Sequence, residues 1–266
     1  GEKMSSFTKE VIIKTLFELL NEKPLVTVTE LAEAFSLSEV SVRKLLTAME
    51  KEGLLTRSWG GATRAENALH EYSHVEKEKL HLEEKKAIAR FCYGEISDGE
   101  SVFLDSGTTT IQLARLIASG AKRHILIVTN ALNIAMEFVH AEDIGVIVIG
   151  GEMRHRIVCC TGELTMDALN NFCFDRAFVT GNHFSLERGF TTPLLSEAKM
   201  KGKLLEVSKH SYVVMDSSKY GGNSLCCIAP IDAASMIVTD WRLPASILAH
   251  FEEKNIAVAA APKVEN

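Results

Sequence analysis

The segment Val102-Phe-Leu-Asp-Ser-Gly-Thr-Thr-Thr-Ile-Gln-Leu-Ala-Arg-Leu116 indicates how the larger part of the chain folds. Its apolar start predicts a buried strand over Val102–Leu104, and turn residues follow. From Thr108 the apolar residues recur at helical spacing. A strand, a loop of small residues and a helix start direct backbone N–H groups and the positive end of a helix dipole toward a bound anion. The same residues also suit an ordinary helix cap, so the pattern alone leaves both interpretations open.

Composition and charge restrict the kind of protein that this sequence encodes. The chain has 266 residues, 46% hydrophobic and 24% charged, which is typical of a soluble globular protein of about two domains. No apolar run is long enough to cross a bilayer. Six cysteines without a Cys-x-x-Cys pair predict free thiols, no metal, no cofactor and a cytoplasmic location. Because the net charge is −6, any affinity for DNA depends on where the basic residues lie.

The first 64 residues follow the order of a winged helix-turn-helix domain. Apolar residues at helical spacing predict a helix over Phe7–Leu20, and Thr27-Val-Thr-Glu30 has the capping-box spacing that starts a second helix. A break at Ser36-Leu-Ser38 leads into a third helix, for which its last serine is the expected N-cap. Leu54–Ser58 is predicted as a strand and Trp59-Gly-Gly-Ala62 as a turn, which together form the wing.

Positive charge is concentrated in the part of this domain that would face DNA. Residues 40–64 carry five basic side chains and two acidic ones, although the chain as a whole is acidic. In such domains the third helix enters the major groove and the wing lies along the phosphates. A small helical interaction domain with a solvated charged face is the alternative. Under the DNA-binding interpretation, the predicted contacts to double-stranded DNA are Ser38, Ser41, Arg43, Lys44, Thr47, Arg57 and Arg64.

The residues of this domain resemble those of a known family. Val28-Thr-Glu-Leu-Ala-Glu-Ala-Phe-Ser-Leu-Ser-Glu-Val-Ser-Val-Arg43, Met49-Glu-Lys-Glu-Gly-Leu-Leu-Thr-Arg57 and Gly60-Gly-Ala62 are similar to the DeoR-type winged helix of bacterial transcription regulators. That family usually has Arg-Arg-Asp-Leu in the recognition helix and a His before the Gly-Gly of the wing. This chain has Arg43-Lys-Leu-Leu46 and Trp59 at those places. Because Lys does not reproduce the bidentate fork of Arg on guanine, the usual operator preference is not carried over.

The remainder of the chain is predicted to form a linker and a larger domain. Residues 65–86 alternate Glu, Lys and His, and we expect an exposed linker between domains at 1–64 and 87–266. Beyond it, alternating apolar runs and helical segments predict an α/β fold with a mainly parallel sheet covered on both faces. The predicted strands are Val102–Leu104, Ile125–Thr129, Gly145–Ile149, Arg176–Thr180, Tyr212–Met215, Met236–Thr239 and Ala257–Ala259. The predicted helices are Thr109–Ala118, Ala131–Val139, Leu164–Asn170, Leu195–Val207 and Pro244–Glu253.

Polar residues and glycines follow several of the predicted strands. In sheets of this class ligands bind beyond the carboxyl ends of the strands, so these residues define one candidate site. Glycine lets the backbone approach a ligand, and Asn, Arg and Lys donate hydrogen bonds to hydroxyls or phosphate. The site residues predicted on these loops are Asp105, Ser106, Gly107, Thr108, Thr109, Thr110, Asn130, Gly150, Gly151, Arg154, Gly181 and Lys219.

The second domain closely resembles the DeoR carboxy-terminal sensor domain. The segments that carry the resemblance are Leu104-Asp-Ser-Gly-Thr-Thr-Thr110, Val128-Thr-Asn130, Ile149-Gly-Gly-Glu-Met-Arg154, Gly189-Phe-Thr-Thr192, Glu197-Ala198 with Lys201, and Met215-Asp-Ser-Ser-Lys-Tyr-Gly221. The resemblance implies a fold of the ribose-phosphate isomerase and glucosamine-phosphate deaminase type, and a phosphorylated sugar as effector. It places the phosphate at Asp105–Thr110 and the sugar among Asn130, Arg154, Glu197, Lys201 and Lys219.

Three functions are consistent with these features. The resemblance favours a transcriptional regulator, a repressor of a sugar-metabolism operon that acts as a dimer or tetramer. A sugar-phosphate isomerase or deaminase with an appended helical domain is the alternative, with Glu197 as its base. Against it, Gly181-Asn-His-Phe184 replaces the family's Gly-Ala-Asp-Gly and lacks the Asp. A module for another anion, such as a nucleotide or coenzyme A, is disfavoured because the chain has no Gly-x-Gly-x-x-Gly or Walker-type loop.

Overall fold

The computed structural model describes residues 12, 15, 16, 19, 20, 25–51, 55–58, 61–64, 77, 78 and 80–264. The chain divides into two compact units, Gly1–Glu71 and Tyr72–Asn266. This division falls inside the predicted linker at 65–86, most of which lies outside the described residues. Each unit has its own hydrophobic core, as expected for separate domains.

The N-terminal unit contains two described helices and a three-stranded antiparallel sheet. Strand β1 (Val26–Thr27) leads directly into helix α1 (Val28–Phe35), and helix α2 (Glu39–Lys51) follows after a short break. Strands β2 (Leu55–Ser58) and β3 (Gly61–Arg64) form the hairpin of the wing, and the strand order is β1-β3-β2. This arrangement is the predicted winged helix-turn-helix.

Side-chain caps fix where the two helices begin. The Thr27 amide donates to Glu30 Oε2 at 2.9 Å and the Glu30 amide donates to Thr27 Oγ1 at 3.2 Å, which confirms the predicted capping box. Helix α1 ends at Ser36 in the left-handed conformation. The Ser41 amide donates to Ser38 Oγ at 3.2 Å, as expected for the N-cap of α2. The core beneath these helices is formed by Leu16, Leu20, Val28, Leu31, Phe35, Val42, Leu46, Met49 and Leu55.

Two details of this unit differ from the sequence prediction. Gly61 and Ala62 belong to β3 and are not part of a turn, because they pair with Thr27 and Val26 of a strand that the sequence analysis did not predict. A β-carbon on Gly61 would lie 2.2 Å from the Val26 carbonyl oxygen, so only glycine permits this pairing. Of the predicted first helix, the described residues 12, 15, 16, 19 and 20 are helical, and the rest lie outside the described residues.

The C-terminal unit is built around a parallel sheet of seven strands. Helix α3 (Leu82–Glu95) precedes the sheet, whose strands are β4 (Ser101–Leu104), β5 (Leu126–Thr129), β6 (Gly145–Val148), β9 (Phe174–Val179), β12 (Ser208–Val214), β14 (Met236–Asp240) and β15 (Val258–Ala261). The helices between them are α4 (Thr108–Ser119), α5 (Leu132–Met136), α6 (Glu163–Leu169), α7 (Leu195–Glu206) and α8 (Ala245–Glu253). All seven predicted strands and all five predicted helices are confirmed, with ends that differ by a few residues.

The strand order β15-β14-β12-β9-β4-β5-β6 creates a crevice in the middle of the sheet. The chain first builds β4, β5 and β6 toward one edge, then returns to β9 beside β4 and continues toward the other edge. Loops that leave β4 and β9 therefore diverge at their carboxyl ends, which is where open α/β sheets bind ligands. Helices α3, α4 and α5 cover one face of the sheet, and α6, α7 and α8 cover the other.

Two small antiparallel elements complete the unit and were not predicted. Strands β7 (Glu152–Arg154) and β8 (Cys159–Thr161) form a hairpin. Strands β10 (His183–Ser185), β11 (Gly189–Thr192) and β13 (Cys226–Ala229) form a three-stranded sheet. Each of these strands has only three or four residues, which is too short for an alternating apolar and polar pattern to be recognised in the sequence.

The end of the predicted linker is not an exposed connection. Helix α3 begins at Leu82, inside the predicted linker, and Glu84 and Lys85 are buried. Lys85 was expected in solvent because charged residues usually are, but its ammonium is satisfied by backbone carbonyls. Within the described part of the chain, every helix is too short or too polar to span a bilayer.

We predict that Gly61→Ala destabilises the N-terminal unit by about 1–3 kcal/mol, because the added methyl meets the backbone of β1. Gly94→Ala is the matched control. Gly94 lies in helix α3, and a β-carbon there would meet no atom within 4 Å. The control should stabilise by about 0.5–1 kcal/mol. Urea unfolding measures both changes, and equal effects of the two variants would show that β1 does not constrain Gly61.

Candidate functional site

A buried carboxylate links the loop after β4 to the loop after β9. The Asp105 amide donates to the Phe178 carbonyl at 3.1 Å, and the Thr180 amide and hydroxyl donate to Asp105 Oδ2 at 2.8 and 2.7 Å. Lys201 of α7 donates from Nζ to the same oxygen at 2.5 Å. The Ser106 amide donates to Oδ1 at 2.8 Å. Asp105 therefore connects the loop after β4, the loop after β9 and helix α7. Both of its carboxylate oxygens accept hydrogen bonds from protein groups.

Electrostatics keep this pair ionised. Burial alone raises the pKa of Asp105, but the charge and hydrogen bond of Lys201 and the donors of Thr180 outweigh burial and hold that pKa below its usual value. Burial likewise lowers the pKa of Lys201, but Asp105 and then Glu197 outweigh it and raise that pKa. Both residues are at most 5% exposed, so the pair is a structural ion pair that solvent does not screen.

The loop from Asp105 to Thr110 presents the N-terminus of α4. The Gly107 amide lies 2.9 Å from Thr110 Oγ1, and that hydroxyl donates to the Asp105 carbonyl at 2.5 Å. The amides of Thr108, Thr109 and Thr110 have no acceptor among the described residues, as expected for a first helical turn. Because the hydroxyl of Thr110 closes the loop, the groups left for an anion are these amides and the half-exposed hydroxyls of Ser106 and Thr108.

Gly107 allows the β4 and β9 loops to approach each other. A β-carbon on Gly107 would lie 2.3 Å from Thr180 Cγ2 and 2.8 Å from Thr180 Oγ1. The backbone of Gly107 is in an ordinary extended conformation, so the requirement for glycine is one of space. Any larger residue must displace Thr180 and with it two of the donors to Asp105.

A second ion pair lies beside the first. Arg154 of β7 is hydrogen-bonded to Glu197 Oε1, and Thr192 Oγ1 lies 3.0 Å from Glu197 Oε2. The Thr192 hydroxyl is also 3.1 Å from Asn182 Oδ1. Both oxygens of the buried Glu197 carboxylate thus have protein neighbours. The Asn182 side chain extends this network through its Oδ1.

Asn130, after β5, is fully buried and incompletely hydrogen-bonded. Its Nδ2 donates to the Cys160 carbonyl at 2.8 Å, whereas its Oδ1 has no hydrogen-bond donor among the described residues. The neighbouring Cys159 thiol was not predicted to lie here. The pKa of Cys159 is raised to about 11, mainly by burial. A hydrogen bond with Ser106 lowers this pKa, and the charges of Glu197 and Asp105 raise it further. The thiol is therefore protonated at neutral pH.

The glycines predicted for the site lie on the same edge of the sheet. Gly150 accepts a hydrogen bond from Thr165 Oγ1 at 2.9 Å. Gly151 has a φ of +153°, and a β-carbon there would lie 2.1 Å from the same Thr165 oxygen, so a side chain is excluded. A β-carbon on Gly181 would lie 3.0 Å from Met215 Sδ. At these positions the backbone comes close to the rim, by which we mean the edge of the sheet formed by the loops after β4, β5, β6 and β9.

Lys219 belongs to a separate cluster at the end of β12. It lies in a short 3-10 turn, Ser217–Lys219, beside Asp216. Burial raises the pKa of Asp216, but Lys219 and then His81 outweigh it, and the pKa is lowered. Burial lowers the pKa of Lys85 to about 8, with Asp216 opposing. The Lys85 ammonium donates to the carbonyls of Lys77 and Leu80, so this cluster ties the start of the C-terminal unit to the rim.

The predicted DNA-contacting side chains of α2 lie on its outer face. Ser38, Ser41, Arg43 and Lys44 are exposed. Thr47 is half-buried and donates from Oγ1 to the Arg43 carbonyl at 2.8 Å. Arg43 also pairs with Glu39 one turn earlier, at 3.4 Å. The side chains of the two wing residues, Arg57 and Arg64, lie outside the described residues.

Other parts of the surface do not compete with this site. In the described portion, no group of three or more His, Cys, Asp or Glu side chains is arranged to hold a metal ion. Two shallow grooves lie away from the rim: one borders Gly189, Pro230 and Lys254, and the other borders Leu195 and Gly202. Both are open surface depressions.

Comparison with known sequences agrees with this architecture. The family model of the DeoR C-terminal sensor domain matches residues 80–241, and that of the DeoR-like helix-turn-helix domain matches residues 13–68. Together they cover both units in the order in which the structure presents them. The chain belongs to the DeoR family of transcriptional regulators.

Relatives from several organisms align over nearly the whole chain. It is 30% identical to the putative aga operon transcriptional repressor of Escherichia coli O157:H7 over 262 residues, 97% of this chain and 96% of that protein. It is 31% identical to the HTH-type transcriptional regulator GlpR of Haloferax volcanii over 245 residues, 92% and 95% of the two chains. The glycerol-3-phosphate regulon repressor of Escherichia coli K12 is 29% identical over 233 residues, 88% and 91%.

Solved structures resemble the chain more distantly. A ribose 5-phosphate isomerase A from Methanocaldococcus jannaschii is 13% identical, with a TM-score of 0.36 over 51% of this chain and 53% of that one. The translation initiation factor eIF-2B of Pyrococcus horikoshii is 14% identical, with a TM-score of 0.40 over 82% and 69%. Both TM-scores are below 0.5, so neither likeness bears on function.

We predict that Asp105→Asn lowers the free energy of unfolding by about 3–5 kcal/mol, because the buried Lys201 ammonium loses the carboxylate to which it is hydrogen-bonded. The double variant Asp105→Asn/Lys201→Met should cost less than the sum of the two single variants. Urea unfolding of the four proteins measures this coupling. Additive effects would mean that the two charges do not stabilise each other.

The same pair predicts a pH dependence. Because the folded-state pKa of Asp105 is below its unfolded value, its contribution to stability is complete above the unfolded pKa and is lost as the pH falls toward the folded value. Stability of the wild type should therefore fall more steeply in acid than that of Asp105→Asn. Parallel acid profiles for the two proteins would contradict the assignment.

Proposed function

We propose that this chain is a repressor of genes for the metabolism of a phosphorylated sugar or polyol, and that such a metabolite binds at the rim around Asp105–Thr110. The single observation that supports this proposal best is the loop at the crevice of the sheet. It presents the free amides of α4, and the buried Asp105–Lys201 pair fixes its backbone. Free amides at a helix N-terminus favour a phosphate group.

The neighbouring residues suit the hydroxyl-bearing part of such a ligand. Asn130 Oδ1 is a buried acceptor without a donor among the described residues, and a ligand hydroxyl would supply one. Arg154 is half-buried beside Glu197, so the two together offer donors and acceptors at the same edge. Two relatives also support this class of effector: their names refer to the aga operon and to the glycerol-3-phosphate regulon. Lys219 is proposed as a further contact from its own cluster.

We favour a regulator over an isomerase or deaminase because the candidate base is already engaged. Proton abstraction needs a carboxylate that can reach a carbon-bound hydrogen. Both Glu197 oxygens have protein neighbours, Arg154 and Thr192, and the Asp that the family commonly has near Gly181 is absent. Incubating the protein with ribose 5-phosphate and glucosamine 6-phosphate tests this choice. Measurable turnover would restore the enzymatic alternative.

We further propose that the protein acts in the cytoplasm as a dimer or tetramer whose N-terminal units bind two half-sites of double-stranded DNA. Ser38, Ser41, Arg43, Lys44 and Thr47 are proposed to meet the major groove, with Arg57 and Arg64 at the wing. An effector changes DNA affinity only as far as it binds the competent and incompetent forms unequally, typically by about 1–3 kcal/mol.

We predict that Arg43→Ala weakens operator binding by about 1–3 kcal/mol if its guanidinium contacts a base, and that Arg57→Ala lowers the salt slope of binding by about one charge. Lys254→Ala removes an equal charge from an exposed position in the C-terminal unit and is the control. Fluorescence anisotropy on a duplex selected from a random pool measures all three. If Arg43→Ala and Arg57→Ala bind as tightly as the control, the docking proposal is wrong.

We predict that Gly107→Ala abolishes the response to effector but leaves operator binding intact, because the added methyl displaces Thr180 from Asp105. A thermal-shift screen of sugar phosphates first identifies a ligand that stabilises the wild type, since stabilisation grows with the logarithm of ligand concentration over its Kd. Gly94→Ala should keep the ligand-induced shift. A full shift in Gly107→Ala would place the ligand elsewhere.

A further inference from the structure

Strand β6 is an edge strand that carries none of the usual features that prevent edge pairing. It is hydrogen-bonded to β5 on one side and has no second partner among the described strands. Exposed edges normally carry a charge, a proline or a bulge. The sequence Gly145-Val-Ile-Val-Ile149 has none of these. At the opposite edge, β15 has alanines in place of large branched side chains, and Pro262 and Lys263 follow it directly.

The side chains of β6 are uncovered on both faces of the sheet. Val146, Ile147 and Val148 are 36%, 37% and 42% exposed, although strand residues of this type are usually buried in parallel sheets. Val146 pairs with a residue of the core under α4, and Ile147 pairs with a residue of the opposite core, so the two faces are both affected. Helix α5, which contacts β6, ends at Met136, which is 67% exposed.

The backbone of β6 also points unpaired groups outward. The Gly145 amide donates to Ile125 at 2.9 Å and the Ile149 amide donates to Thr129 at 2.8 Å, both on the β5 side. Because amides alternate between the two sides of a strand, the N–H and C=O groups of Val146 and Val148 point away from β5. A neighbouring extended strand can form hydrogen bonds with the N–H and C=O groups of both residues at once.

We infer that β6 pairs with β6 of a second copy of this chain, antiparallel about a two-fold axis at Ile147, and that the two sheets become one of fourteen strands. In this register Val146 of one copy and Val148 of the other form a hydrogen-bonded pair, twice, and the two Ile147 residues form a non-hydrogen-bonded pair between them. A two-fold interface sets a surface against itself. An edge of valine and isoleucine suits this, because no like charges meet.

A second copy is the occupant that also fits the proposed DNA-binding function, on which this inference rests. Two N-terminal units must be held together to read two half-sites. A continuous sheet joins the C-terminal units through backbone hydrogen bonds and apolar contacts, and it leaves the rim at Asp105 open because β6 lies two strands away from β4.

The test is the mass of the full chain in solution, measured by sedimentation velocity. The wild type should be at least a dimer, and Ile147→Lys, which sets two positive charges against each other at the axis, should have half the wild-type mass. Leu225→Lys is the control, since Leu225 is 82% exposed on a loop outside the seven-stranded sheet, and it should keep the wild-type mass. A monomeric wild type, or Ile147→Lys at the wild-type mass, overturns the inference.

A second pair of variants tests the register and guards against misfolding. Val146→Lys/Val148→Glu places opposite charges across the two-fold axis and should keep the wild-type mass, whereas Val146→Lys/Val148→Lys should halve it. Equal masses for these two double variants overturn the proposed pairing. Operator binding is measured on the same samples. A wild type that binds operator as a monomer overturns the β6 pairing but not the proposed function. A wild-type dimer that binds no DNA overturns the proposed function but not the β6 pairing.

Discussion

The buried ion pair between Asp105 and Lys201 is the interaction on which the candidate site depends. It joins the end of β4, the end of β9 through Thr180, and helix α7, which are far apart in sequence. Taking two charges out of water is costly, and such pairs seldom add net stability compared with apolar residues. Their value here is geometric. Asp105 fixes the backbone of the loop that leads into α4, and the first amides of α4 have no acceptor among the described residues.

Much of the architecture could be predicted from the sequence because its signals are local. Val102–Leu104 is a short run of apolar residues, as strands buried on both faces require, and the loop after it contains no residue that continues a strand. The capping box of Thr27 and Glu30 involves neighbouring residues, so its spacing alone identifies the start of α1. The loops that follow parallel strands all lie at one edge of the sheet. The candidate site could therefore be predicted from the residues after each strand, without knowledge of any contact.

The remaining features depend on contacts between distant residues. Lys85 has the sequence surroundings of a solvated side chain, and only the fold brings carbonyls and Asp216 to it. Glu197 is identifiable as a site residue, but its engagement by Arg154 and Thr192 needs β7 and β11, which are too short to predict. Gly61 was assigned to a turn because Gly-Gly pairs usually are turns. Its role depends on the pairing of β1 with β3, which is a contact between residues distant in sequence.

Cys159 gives the rim a chemical property that its neighbours do not suggest. Thiolate, not thiol, is the species that oxidants and alkylating agents attack, and with a pKa of about 11 only about one molecule in ten thousand carries it at pH 7. The charges of Glu197 and Asp105 raise this pKa further, and the opposing charge of Lys201 has a smaller effect. Cys159 is therefore a poor target for oxidants and alkylating agents.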